Sequence, residues 1–378
     1  MKSRYVGCFR YKALVLAGVM LTAVLFACTP KEKQTFSEKS WENQVNQTRT
    51  SDLYARNVDA GRYFAPWMPM PDKGFLDVLW WKLFSKTDYS EAEQAFLPAV
   101  LPDTARRLAQ TKGDFVLWIG HNTFLIRIHN TYWLTDPIFS KRALVPARVT
   151  PPALTMEAFN RLVPKVNIII SHNHYDHLDR ATMKKLPADA PVYVPMGLKV
   201  LVEKMNKQMV HEMDWWEEYD LGNGIRLICL PAQHWSLRIT QGRNRSLWAS
   251  WLLITPDLTL YFGGDSGYFK GFGEIGRQFP GIDYAFMATT AYHPRWFMAY
   301  NHMNIAEAVQ GFTDLNARYF IPTQWGTFHL GDEPAGYPGL DLNRYISDNQ
   351  LDAGRFKIMD IGQILAIDQK VNQKKGPD

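Results

Sequence analysis

An α/β architecture, two mixed sheets with helices packed outside, is predicted by three features of this 378-residue chain. Hydrophobic residues make up 46% of it, enough to bury a sizeable core. Short β-branched and aromatic runs follow one another in hairpin fashion through the first half of the body. Farther on, such runs alternate with helical stretches, the pattern that layers helices against sheets.

The strands are read in order as residues Phe115–Ile119, Phe124–Ile128, Tyr132–Thr135 and Val166–Ile170, then Val192–Val194, Ile225–Leu230 and Leu247–Ile254. Leu258–Phe262, Ile282–Met287 and Tyr319–Ile321 complete the set. Helices are expected at Arg180–Leu186, Gly197–Lys207, Ile305–Leu315 and Leu342–Asp348. The sequence contains no evident internal repeat or low-complexity tract.

Three segments precede or make up the body. Residues 1–28 read as an export signal. Lys2, Arg4, Arg10 and Lys12 form a basic start, and Ala13 to Ala27 is an apolar run of 15 residues, short for a membrane span. The run closes on Leu25-Phe26-Ala27-Cys28, which resembles the lipobox of bacterial lipoproteins, where the cysteine is lipidated and becomes the first mature residue. An uncleaved anchor and an ordinary cleaved signal are the other readings. Thr29 is not the Asp that retains lipoproteins at the inner membrane, so the expected place is the outer membrane, facing the periplasm. Residues 29–60 are polar and read as a tether. Residues 61–378 form the expected folded domain, opening with an aromatic-rich extension: Tyr63, Phe64, Trp67, Trp80, Trp81 and Phe84, expected to pack on the body.

The net charge of +5 comes mostly from the export segment. Without residues 1–27 the chain has 38 basic residues against 37 acidic ones. That balance argues against nucleic acid as a partner, because phosphate backbones call for a clustered basic face. Of the three cysteines, Cys8 and Cys28 lie in the export segment. Cys229 is then alone in the body, which excludes a disulfide framework there, and its apolar run marks it as a small buried hydrophobe.

The chemistry centres on Ile168-Ile169-Ile170-Ser171-His172-Asn173-His174-Tyr175-Asp176-His177-Leu178-Asp179. An apolar strand ends, and four potential metal ligands follow within six residues. His172 and His174, one residue apart in an extended loop, can point the same way. Asp176 and His177 are adjacent and diverge, which suits a second metal roughly 3.5–4 Å from the first. Imidazole with carboxylate favours zinc or a similar borderline ion over calcium or magnesium. Two later strands end the same way, one on His234 and one on Asp265. Glycines 263, 264 and 267 let the backbone bring that carboxylate close to an ion, and its two oxygens can serve two metals.

Taken together these motifs resemble the metallo-β-lactamase superfamily, and within it the N-acyl-phosphatidylethanolamine-hydrolysing phospholipase D family. The resemblance covers roughly Gly61 to Ile367. The segments that carry it are Trp118–Thr123, Leu134–Phe139, Ser171–Asp179, Asp214–Glu218, Gln233–Trp235, Gly264–Tyr268, Pro294–Met298 and Trp325–Phe328. The resemblance implies an αββα four-layer sandwich. It implies one zinc on His172, His174 and His234, a second on Asp176 and His177, and Asp265 between them. His302 matches a family histidine, fit to hold a phosphate oxygen or protonate a leaving group, and is counted with Asp176 as catalytic. Asp136 is expected to orient a metal-bound imidazole from behind, with His121 in a similar supporting part. Asn173 and Tyr175 are expected to shape the loop.

The chain departs from the family at two positions. Gln324 stands where the last zinc ligand is usually His, and His293 stands where Glu is usual. Three readings of the second site are open: His293 moves in, Gln324 binds weakly, or one metal suffices. His329 is a further candidate. The implied activity is zinc-dependent hydrolysis of a phospholipid phosphodiester to phosphatidate and an N-acylethanolamine. The alternatives are hydrolysis of another ester, lactone or phosphoester, and a non-catalytic envelope lipoprotein that keeps the fold.

The Leu25–Cys28 segment yields a first test. Cys28→Ala should leave an unprocessed precursor or release the protein from the membrane fraction, because stable anchoring needs the added acyl chains. Unchanged processing and fractionation would rule out the lipoprotein reading.

Overall fold

The computed structural model describes residues 36–84 and 87–367. Cys28 and the rest of the export segment lie outside the described residues.

Two sheets carry the fold. The first has seven strands in the order β17-β3-β4-β5-β6-β7-β8. Its members are β3 (Phe115–Gly120), β4 (Thr123–Ile128), β5 (Thr131–Thr135), β6 (Asn167–Ile169), β7 (Val192–Pro195), β8 (Val210–Met213) and β17 (Ile364–Ala366). Hairpins join β3, β4 and β5 antiparallel, and β5 through β8 run parallel. The second sheet has six strands, β16-β15-β14-β13-β10-β9. These are β9 (Glu218–Gly222), β10 (Ile225–Leu230), β13 (Ser250–Ile254), β14 (Thr259–Phe262), β15 (Tyr284–Ala288) and β16 (Tyr319–Thr323). Two-residue ribbons, β1 with β2 (Val58–Asp59, Arg62–Tyr63) and β11 with β12 (Leu237–Arg238, Gly242–Arg243), lie apart from both sheets.

Alternation along each strand gives the sheets two covered faces. Phe115, Leu117 and Ile119 of β3 join Leu134, Ile168 and Val192 in a cluster closed by Leu108, Phe159, Met183 and Val202 from four helices. The alternate residues face the other sheet: the Phe124 and Phe286 rings meet edge-on at 5.0 Å, and Trp251 Nε1 donates to the Ile170 carbonyl at 3.0 Å. Helices Gly271–Gln278 and Ile305–Asp314 cover the outside of the second sheet through Phe272 and Phe312. The layers therefore run helix, sheet, sheet, helix. Every strand expected from the sequence is present, with ends shifted by up to three residues.

Three differences have plain physical reasons. The stretch 29–60, expected to be a tether, is packed structure over most of its described part. Glu38–Gln47 is a helix that buries Trp41 and Val45, spaced four residues apart on one face, and Trp41 Nε1 donates to Glu307 Oε1 at 2.7 Å. Leu53 is also buried, and Asn57 donates to Asp214. Next, β9 has alternating acidic residues because it is an edge strand with one face in water, and that charge hid it. Lastly, the aromatic extension divides. Trp67 and Trp81 are buried, Trp67 against Trp215 and Phe269, but Phe64 and Trp80 are exposed.

Trp41→Ala should destabilise the protein by about 3 kcal/mol, the cost of truncating a buried tryptophan, read from the denaturant midpoint. A change under about 0.5 kcal/mol, typical of an exposed site, would return this segment to the status of a tether.

Candidate metal centre

The loop 171–179 leaves β6 at the edge between the two sheets. Asp179 closes it by capping the helix Arg180–Lys185, accepting from the N–H groups of Ala181 and Thr182. The Arg238 guanidinium ties the loop down, donating to the Asn173 and Leu178 carbonyls at 2.8 Å each while lying over the Tyr175 ring. Asn173 donates to Gln241. Gly264 lets the strand-end turn bearing Asp265 close on the loop, since a Cβ there would sit 2.5 Å from the Ser171 Cβ at a left-handed φ of +58°.

Two groups of ligand atoms result, each within a 4.8 Å span. His172, His174, His234 and Asp265 form the first. His172 Nε2 faces His174 Nδ1 at 2.8 Å, and His234 Nε2 faces the same atom at 3.3 Å. His121, Asp176 and His177 form the second. Both His121 Nε2 and His177 Nε2 approach Asp176 Oδ2, at 3.1 and 3.2 Å. Asp265 lies between the groups, its Oδ2 3.3 Å from His177 and 3.7 Å from His234.

The far sides of the rings decide whether these atoms fit a metal. Ser171 Oγ donates to Asp136 Oδ2 at 2.6 Å, so it accepts from His172 Nδ1 at 2.9 Å. His234 Nδ1 donates to the Asn301 carbonyl at 3.1 Å. His177 Nδ1 donates to Asp136 Oδ2 at 2.7 Å. With those protons committed outward, the inward nitrogens of His172, His234 and His177 are bare lone pairs; a proton on His174 Nδ1 serves one of the two imidazole nitrogens that face it, whereas a cation serves all three rings. Burial pushes the pKa values of His172 and His234 down and that of His174 down to about 4, so all three are neutral ligands at pH 7. Without an ion, His177 takes up the charge: burial disfavours it, but the carboxylates of Asp265, Asp176 and Asp136 outweigh burial and raise its pKa.

The remaining expected residues divide. Asp136 stands behind His177 and Ser171, as a positioning group would, accepting also from the Ser171 N–H at 2.7 Å. His302 lies beside the first group, its ring 5.2 Å from that of His234, with a buried Nδ1 that has no partner. Gln324 enters the second group: its Nε2 is 2.9 Å from His177 Nε2 and donates to Asp265 Oδ1, while its buried Oε1 has no partner. His293 does not move in. Its Nδ1 pairs with the Tyr89 hydroxyl at 2.7 Å, its N–H donates to Glu333, and neither ligand group includes it. His329 is exposed and outside both groups. His121, expected only in support, presents a ring nitrogen at ligand distance. The signal available for it was a histidine at a hairpin turn directly after Gly120.

A model of the β-lactamase superfamily domain matches residues 131–325. The chain belongs to the β-lactamase superfamily. It is 32% identical over 281 residues to the N-acyl-phosphatidylethanolamine-hydrolyzing phospholipase D 1 of Caenorhabditis elegans, covering 69% of this chain and 78% of that one. It is 42% identical over 97 residues to the outer membrane protein RomA of Klebsiella pneumoniae, covering 26% of this chain and 71% of RomA. Among solved structures, a possible metal-dependent hydrolase from Veillonella parvula shares the fold, with a TM-score of 0.56 at 16% identity, covering 68% of this chain and all of the other. This β-lactamase-superfamily member has the αββα sandwich. It is a metal-dependent hydrolase, and its cofactor is a divalent metal.

Stripping the metal with a chelator should lower apparent stability by about 4 kcal/mol, for an ion previously present at a thousandfold its Kd. Differential scanning fluorimetry would record the fall, and it should shrink in His174→Ala. A midpoint indifferent to chelator would mean that the facing nitrogens hold no ion.

Proposed function

We propose that this superfamily member is a zinc phosphodiesterase acting on membrane phospholipids of the N-acyl-phosphatidylethanolamine type, releasing phosphatidate and an N-acylethanolamine. The donor set of neutral imidazoles and carboxylates suits zinc. His172, His174, His234 and Asp265 would hold one ion, and Asp176, His177 and Asp265 would share a second. Bound there, such ions supply Lewis acidity and a water nucleophile at neutral pH.

The chain's own groups arrange the rest. Asp176 has a side chain 14% exposed, against 3% for Asp265, so it is the carboxylate that meets an incoming substrate and orients the attacking water. His302 is kept neutral at pH 7, because burial lowers its pKa. Its free Nδ1 can hold a phosphoryl oxygen or hand a proton to the leaving alkoxide. Arg295 steadies that turn from behind, donating to the His302 carbonyl and pairing with Glu307 at 2.6 Å. Lys73 adds a cation on the same turn by donating to the Phe297 carbonyl.

The observation that carries the lipid reading is an apolar stripe beside this turn. The helix Phe75–Phe84 packs Trp81 against Phe297 at 4.9 Å and ties it to Asp332 at 2.7 Å. On its exposed side lie Leu76, Leu79 and Leu83, 66%, 42% and 58% exposed, at helical spacing. Exposed leucines in a row, seated on the turn that leads to His302, suit a bilayer surface. No helix among the described residues is long and apolar enough to cross a membrane. Lipid on Cys28 would supply the anchor, giving an envelope lipoprotein of the outer membrane. The relative named as an outer membrane protein supports a place in the envelope, and the phospholipase D relative supports the phospholipid substrate.

The test uses vesicles containing N-acyl-phosphatidylethanolamine, with products identified by mass spectrometry. Leu79→Glu with Leu83→Glu should slow vesicle hydrolysis at least tenfold, or about 1.4 kcal/mol of lost surface affinity, and spare a soluble phosphodiester. Turnover of a lactone or carboxylic ester with none of the phospholipid would favour the other ester chemistries instead.

A further inference from the structure

Gln324 leaves the second ligand group short of an imidazole, and the turn between β3 and β4 brings one. We infer that His121 is a ligand of the second metal, standing in for the histidine that Gln324 replaces. The inference rests on the proposed metal-holding role of this centre.

The turn is built to hold this ring in place. The β3–β4 register shifts between Trp118 and Gly120, and His121 follows with a φ of +57°. A non-glycine residue in the left-handed region is strained, and persists only where its surroundings fix it. Here they do. The His121 N–H donates to Thr327 Oγ1 at 2.9 Å, and its carbonyl accepts from Trp118 Nε1 at 2.8 Å and from the Gln324 N–H at 3.3 Å. The ring is fully buried, edge-on to Phe328 at 5.1 Å and to His177 at 5.4 Å.

The ring's polar partners set its tautomer. Nδ1 faces the Gln324 carbonyl at 3.2 Å, and a carbonyl oxygen only accepts, so Nδ1 carries a proton. This is the hydrogen bond that fixes the outer nitrogen of a metal-bound imidazole. Nε2 then meets Asp176 Oδ2 at 3.1 Å. Something positive has to lie between a lone pair and a carboxylate at that distance. A second proton would satisfy this one line. An ion satisfies it together with His177 Nε2, which faces the same oxygen at 3.2 Å and Asp265 Oδ2 at 3.3 Å.

The donors of the second site are then His121 Nε2, Asp176, His177 Nε2 and the shared Asp265: two imidazoles and two carboxylates, a full set for zinc. Gln324 takes a different part. Its own φ of +72° turns its carbonyl back onto His121, so the residue that lost the ligand positions its replacement.

The experiment counts ions on the full chain by elemental analysis after dialysis against metal-free buffer. Wild type should retain two zincs, His121→Ala one, and the double variant His121→Ala with Gln324→His two again. Gln324→His alone should add nothing. A single retained ion in wild type, or two in His121→Ala, would overturn the inference. No retained ion in wild type would overturn the metal reading beneath it as well. Should His121→Ala fail to fold, wild type loaded with cadmium-113 and labelled with nitrogen-15 histidine answers the same question. One cadmium should couple to three ring nitrogens and the other to two, whereas coupling of the second to one alone excludes His121.

Discussion

Burying His172, His174 and His234 so that two inner nitrogens face His174 Nδ1 leaves at least one of them without a proton partner, a cost that a cation among the three removes. Every ring whose outer nitrogen has a named acceptor spends its proton there: His172 on Ser171, His234 on Asn301, His177 on Asp136 and His121 on Gln324. The arrangement is therefore set up for an ion before one arrives. Much of the surrounding structure serves to keep those acceptors in place. Asp136 draws in the Ser171 N–H and hydroxyl, the Arg238 guanidinium holds the loop by its carbonyls, and the Gly264 turn admits Asp265 without a clash.

The backbone carries part of this cost. His121, Asp136, Ala291 and Gln324 all have positive φ. Residues in that region cost about 1 kcal/mol or more each, and cluster where function requires an unusual side-chain direction. Three of the four bear directly on the two ligand groups, through a ring, a carboxylate and a carbonyl. The turn at His302 is held by a different device, a buried ion pair between Arg295 and Glu307, which Trp41 joins from the N-terminal helix. A segment that reads as a solvated tether thus reaches the neighbourhood of the centre.

How much of this could be read in the sequence depended on how local each signal was. Four donors within six residues after an apolar strand announce themselves. His234 and Asp265 did so too, each following a strand. His121 did not, because nothing near it in the chain is a ligand; its place depends on the bulge in the β3–β4 hairpin and on hydrogen bonds with the distant Gln324 and Thr327. The gap at Gln324 was visible only through family resemblance, and the sequence offered His293 to fill it. The fold gave that ring to Tyr89 instead. The helix Glu38–Gln47 was overlooked because eight of its ten residues are not buried, and only Trp41 and Val45 mark its inner face. The strand β17 was missed for a related reason: three residues at the edge of a sheet leave little periodicity to detect.

That last strand has a consequence for the order in which the protein matures. It pairs with β3, the strand that ends in the His121 turn, so the final described stretch of the chain braces one of the earliest parts of the core. The ligand groups draw on the β3–β4 turn, the β6 loop and the ends of β10 and β14, and β16 presses in behind them. Contacts this far apart in sequence form late, since closing long loops is slow relative to local structure. Every member of the two ligand groups lies at or before Asp265, but they converge only once both sheets have closed around them. Uptake of the full complement belongs to the completed fold, and therefore to whichever compartment the chain finishes folding in.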